Sequence, residues 1–280
     1  MIQTALRNTF SKLIHTPLLW ISGVYAGLIM TSVIWLEFSD GMFLAGKIAM
    51  LSLIAAPFLV GMMNFVLQTG EKSPREILSA GLKNYFPIVL PCITLAGMMF
   101  ILMLLLSIPL SIMGFGGDPY TLTGLTIGIV IPALIFSLYI DNVAVCEKRN
   151  IFGTLKRSLE LVSLNFFGAI GYYIISAFFI LGVSLFGAFL WGIILADKFT
   201  PFIEMNMTVQ QETFSHYTLV DWQNLIGPEG SLVTAIVFGI VSCIVVPFLI
   251  VFKYQCYSEI SQQTIVEYGE FDEKGRWYKY

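Results

Sequence analysis

The run "TLTGLTIGIVIPALIFSLYIDNVAVCEKRNIFGTLKRSLELVSLNFF", Thr121 to Phe167, contains both textures from which the chain is built. Its first part, Thr121 to Val145, carries a single charged residue, Asp141. That is long and apolar enough for a membrane helix, because about 20 such residues cross the hydrocarbon core and lipid offers no partner to unpaired backbone groups. The second part, Cys146 to Phe167, is basic and periodic. Phe152, Leu155, Leu159, Val162 and Phe166 recur at steps of 3, 4, 3 and 4, which puts them on one side of a helix. Thr154, Lys156, Arg157, Glu160 and Ser163 occupy much of the remainder,. Asn150 can cap its start. Such a helix lies in the headgroup layer, apolar face down, and offers Lys148, Arg149, Lys156 and Arg157 to the phosphates of anionic lipid.

The same textures extend to the whole chain. Of 280 residues, 57% are hydrophobic and only 12% charged, with a mean hydropathy of +0.82. A soluble domain carries about 25% charged residues and could not bury this much apolar surface in one core. The fold class is therefore an all-α integral membrane protein. A net charge of -3, with scattered charges, excludes nucleic acid as a partner,. Six apolar runs are predicted to span, near 17–36, 43–67, 86–113, 121–145, 166–195 and 231–256,. No small-residue cleavage site follows the first, so it reads as a retained helix rather than a signal peptide. In this arrangement 13 of the 15 Lys and Arg residues fall on one side, and only Lys47 and Lys198 on the other. Positive loops stay in the cytoplasm, so a multi-pass protein of the cell membrane with both termini cytoplasmic is expected.

Amphipathic segments recur ahead of helices 1, 3 and 5. The first, "MIQTALRNTFSKLIHTP", aligns Ile2, Leu6, Phe10 and Leu13. The second, "SPREILSAGLKNYF" from Ser73, opens with a capping box of Ser73 and Glu76 and has Pro74 at the first helical position,. Helices 2, 4 and 6 each carry a central proline, Pro57, Pro132 or Pro247. The pattern suggests a three-fold repeat of helix pairs, with units at about 1–67, 73–145 and 150–257 inside one transmembrane domain, 1–257. A polar cytoplasmic tail, 258–280, follows. Shared amphipathic connectors without common ancestry would give the same pattern.

The succession of an apolar helix, "DNVAVCEKRN", "GTLKRSLELVSLNF" and a further apolar helix resembles a group of prokaryotic six-helix membrane proteins of unknown function. The resemblance extends to archaeal members, and the group in turn resembles the membrane domain fused to some glycerophosphoryl diester phosphodiesterases. The similarity covers most of the chain, with its signature at 156–162. The chain has no room for the soluble phosphodiesterase domain, so the resemblance implies the fold but neither that activity nor any catalytic residue.

The residues themselves offer little chemistry. His15 and His216 are the only histidines, and Cys92, Cys146, Cys243 and Cys256 are dispersed without a Cys-x-x-Cys pair. Neither pattern makes a metal site. "GFGGDPY", Gly114 to Tyr120, resembles an intramembrane aspartyl protease motif but has Phe115 where the first glycine is needed, and reads as an outer turn,. No catalytic, cofactor-binding or metal-ligating residue is expected. Ionisable residues within spans are costly unless paired or hydrated. Asp141 and Lys253 each follow a central proline, and they either reach the interface, pair within the bundle, or mark an ion path. Gly23 and Gly27, Gly124 and Gly128, and Ser184, Ala188 and Gly192 repeat every four residues, which allows close helix approach within the chain or in a homodimer,. The segment Asp197 to Gly230 gathers aromatics that serve as interface anchors, a lid or a docking surface. The leading expectation is a non-enzymatic protein that organises a membrane partner or inner-leaflet lipid. The rival is a small-solute or lipid transporter with a cavity between the helix pairs.

Overall fold

Apolar runs that must satisfy their backbone internally become helices, and almost all of the described residues are helical,. The computed structural model describes residues 2–39, 41–112, 114, 119–203, 206–268, 270–271 and 277–278. Phe115–Asp118 of the "GFGGDPY" stretch and the basic tail residues Lys274, Arg276 and Lys279 lie outside these. The helices are α1 (Ile2–His15), α2 (Trp20–Glu37), α3 (Met42–Thr69), α4 (Pro74–Ile112), α5 (Pro119–Phe136), α6 (Ile140–Cys146), α7 (Ile151–Leu164), α8 (Phe166–Ile194), α9 (Ala196–Ile203), α10 (Met207–His216) and α11 (Leu219–Tyr268), with a 3₁₀ turn, Pro17–Leu19, before α2. In the tail, Glu270–Phe271 pairs antiparallel with Trp277–Tyr278.

Among the described residues, six helical stretches are long and apolar enough to cross a membrane: Pro17–Glu37, Met42–Thr69, Pro74–Ile112, Thr123–Cys146, Phe166–Ile194 and Leu219–Gln262. Three differ in detail from the sequence reading. The third is one continuous helix of 39 residues, so the segment after Ser73 forms its first turns rather than a separate element. Ser73 also departs from the expected capping box. Its N–H donates to Glu71 Oε1 at 2.7 Å, as does that of Lys72 at 2.9 Å, and these donors hold the Glu71 carboxyl below its ordinary range,. The fourth span is interrupted between α5 and α6. The sixth contains a break at Gly227 (φ 67°, ψ -178°), a conformation open to glycine, immediately before Pro228,.

The chain divides into two compact units. One comprises residues 1–15, 57–175 and 250–280. Its centre is α6, a short helix buried on every side from Ile140 to Val145 and in contact with α4 and α7. Met62, Met63 and Val66 of α3, Ile77 and Ile88 of α4, Leu161 and Val162 of α7, and Val251, Phe252 and Cys256 of α11 complete the core. Tyr172 stacks on Phe252 with ring centres 5.4 Å apart. Gly124 and Gly128 belong to this unit, and a Cβ at either meets nothing within 4 Å.

The other unit comprises residues 16–56 and 176–249. Here α2 and α11 touch backbone to backbone. A Cβ at Gly23 would collide with the Cys243 carbonyl oxygen, and one at Gly27 would stand 2.8 Å from that of Gly239. Phe179 stacks on Phe248, and Trp191 Nε1 donates to Thr234 Oγ1 at 2.8 Å. The described residues between α8 and the break at Gly227 are largely helical, and rings link Trp191, Phe199, Trp222 and Tyr217 in succession at centroid distances of 5.3, 6.4 and 5.4 Å.

Candidate functional site: a polar interior beside a basic cleft

The interruption of the fourth span is where polar groups gather. The N–H groups of residues 138–140 leave the regular i→i−4 ladder, with Leu138 N–H donating to Ile135 O and Ile140 N–H to Ser137 O. The freed groups need partners, since an unpaired backbone group in an apolar setting costs several kcal/mol. The Ser158 hydroxyl on α7 supplies two at once. It donates to Phe136 O at 2.8 Å and accepts from Tyr139 N–H at 3.2 Å. Tyr173 Oη donates to Leu134 O at 2.8 Å.

One turn on, Asp141 and Lys253 meet. Lys253 Nζ lies 2.5 Å from Asp141 Oδ2, with side chains 21% and 11% exposed. The contact is an ion pair by distance, and no directional hydrogen bond to Oδ2 accompanies it. Beside them, Asn142 Nδ2 donates to Asn64 Oδ1 at 3.3 Å, both side chains being fully buried. That bond leaves Asn64 Nδ2 and Asn142 Oδ1 without partners.

The four basic residues singled out in the sequence separate into distinct environments. Arg157, only 12% exposed, turns inward to Glu147 Oε1 at 3.3 Å and to Glu160. Arg149 bonds Glu147 Oε2 at 2.7 Å, and Tyr257 Oη donates to Glu147 Oε1 at 3.1 Å. Glu147 thus ties the α6–α7 turn to α7 and α11. Lys156 points out, 3.8 Å from Glu160. Lys148 takes a left-handed backbone (φ 49°), uncommon outside glycine. Asn150 caps α7 by accepting from Gly153 N–H at 2.7 Å.

Lys148 and Arg149 line a cleft of about 1190 Å³ formed with the end of α3 and the first turns of α4. Arg75, Lys83 and Asn84 face them. The periodicity of 146–167 does not reveal Glu147, Ser158, Asn64 and Tyr257 as partners, because each acts across sequence distances of ten or more residues. The one signal available is the presence of polar residues at positions where a span should be apolar. Among the described residues, no three His, Cys, Asp or Glu side chains are grouped to hold a metal ion, and the four cysteines are free thiols. No protein-family profile, curated protein or solved structure matches the chain.

Proposed function

We propose that the chain is a non-enzymatic multi-pass protein of the cell membrane, with both termini cytoplasmic, that organises inner-leaflet anionic lipid or a membrane partner through amphipathic helices lying in the interface. The observation that carries this reading is how α7 uses its faces. Thr154, Ser158, Leu161 and Val162 are buried, while Phe152 and Leu159 of the apolar row are 69% and 49% exposed and Phe166, at the start of α8, is exposed too. Large apolar side chains such as Phe152 and Leu159, turned away from the protein, are stable when lipid covers them. On α1, Ala5, Thr9 and Leu13 are buried while Phe10 and Ile14 are exposed, which supports the same placement. Arg157 is committed to Glu147, so the lipid-facing cations are Lys156 on α7 and Arg7 and Lys12 on α1. Orientation rests on the one-sided Lys and Arg distribution, and the three-unit repeat on the shared prolines Pro57, Pro132 and Pro247. Kinship with the six-helix family rests on the run at 156–162.

A nitroxide at position 152 or 159, read by electron paramagnetic resonance in nanodiscs, tests this placement. Collisions with oxygen should exceed those with a water-soluble nickel chelate, and the reverse would remove α7 from the lipid. The second reading, a transporter, is favoured by the interrupted fourth span beside Asp141, Lys253, Asn64 and Asn142, since discontinuous helices with ionisable groups mark translocation sites. Solute flux into proteoliposomes that is abolished by Asp141→Asn would put that reading first.

A further inference from the structure

We propose that the cleft between the end of α3, the first turns of α4 and the α6–α7 turn binds a phosphate ester, either a phospholipid headgroup or a free organic phosphate. Four cations line it, Arg75, Lys83, Lys148 and Arg149, against two carboxylates, Glu76 and Glu147. Glu147 is already shared among Arg149, Arg157 and Tyr257. Among the described residues Arg75, Lys83 and Lys148 form no ion pair. Three cations drawn into one concavity, none of them ion-paired with Glu76 or Glu147, repel one another, and an anion with several acceptor oxygens offsets that cost,. A phosphate suits donors that arrive from separate elements better than a planar carboxylate, which one arginine fork satisfies. Gln68, Thr69, Ser79 and Asn84 add neutral hydrogen-bonding groups along the wall. The volume, about 1190 Å³, exceeds the space a bare ion needs and accommodates a headgroup with water,. Phe65 is the one aromatic residue among those lining it, so stacking of a nucleobase has little support. The site is distinct from the outward face of α7 and does not depend on how that face lies.

The test uses the purified full-length chain in a neutral detergent and native mass spectrometry, titrating phosphatidylglycerol in one arm and O-phosphoserine in the other. Saturable binding at one site is expected in at least one arm. Binding of phosphatidylglycerol alone identifies a lipid headgroup as the source, and binding of O-phosphoserine identifies a soluble ester. The variant R75Q/K83Q/K148Q removes three exposed charges and should weaken binding about 100-fold, each cation being worth roughly a factor of five. Lys83→Arg should keep most of the affinity. The control R7Q/K12Q/K156Q removes equal charge outside the cleft and should leave single-ligand affinity within about threefold, whereas it would weaken attachment to an anionic bilayer if the proposed lipid-facing surface is correct. Absence of saturable binding in both arms, or an equal loss in the control, would overturn the assignment.

Discussion

Asp141 and Lys253 give the sharpest energetic test because the chain has drawn both charges out of water to within 2.5 Å. At an effective dielectric of about 20, that separation corresponds to roughly 6 to 7 kcal/mol of attraction. Desolvating the two ions costs several kcal/mol each, so the intact pair contributes little on balance. Removing one partner is different, because the other charge then stays in an apolar site, at a cost of about 3 to 5 kcal/mol in fully buried pairs. With 11% and 21% of the side chains exposed, about 2 to 4 kcal/mol is the better figure here. Asp141→Asn and Lys253→Met should therefore each lower the detergent melting temperature by roughly 5 to 15 °C, taking about 2 to 4 °C per kcal/mol for a chain of this size. The double variant should recover much of the loss, with a coupling energy of at least about 1 kcal/mol. Small, additive losses below about 0.5 kcal/mol each would refute the pairing and place both groups at the interface.

Ser158→Ala should cost about 1 to 3 kcal/mol, because Phe136 C=O and Tyr139 N–H lose their shared partner,; faster amide exchange confined to 136–140 would identify the mechanism. Gly23→Ala and Gly27→Ala should each destabilise by about 1 to 3 kcal/mol through collision with α11 carbonyls,. By contrast, Gly124→Ala and Gly128→Ala should leave the melt unchanged or raise it by up to about 1 kcal/mol in equivalent stability. Glu147→Gln should loosen the α6–α7 turn by about 1 to 3 kcal/mol as Arg157 and Arg149 lose the carboxylate charge and one of the two acceptor oxygens they share with Tyr257 becomes a donor,. Unaltered proteolysis at 147–150 would count against that role.

The fold class is legible because apolar length is a local property. Uninterrupted runs around Pro57 and within 166–194 require only counting, and the described helices coincide with them. The expected separate helix after Ser73 becomes the start of α4 because nothing between Phe86 and Pro87 breaks the ladder; the missing Pro87 N–H costs one bond while the helix continues to Ile112,. The fourth span reads as continuous because Ser137, Leu138 and Tyr139 contain no glycine or proline. Its interruption is held from outside by Ser158 and Tyr173, which local periodicity does not encode. Asp141 and Lys253 are visible as anomalies within apolar runs, but the sequence leaves three readings open, and only the packing of α6 against α11 brings them together. The four basic residues at 148, 149, 156 and 157 look alike in the sequence. Glu147 divides them by recruiting Arg149 and Arg157. Gly124 and Gly128 share the spacing of Gly23 and Gly27 but face open space, since spacing records capacity for close approach and not a partner.

The inner-leaflet role, and the compartment into which the basic cleft opens, both depend on which ends of the helices face the cytoplasm. Single cysteines at Ser73, Asn150 and Asn206, in a background lacking Cys92, Cys146, Cys243 and Cys256, can be challenged with an impermeant maleimide in intact cells and in inverted vesicles. The account predicts that positions 73 and 150 react only from the cytoplasmic side and position 206 only from outside. Labelling of 73 and 206 from the same face would contradict the six-span orientation and, with it, the inner-leaflet role.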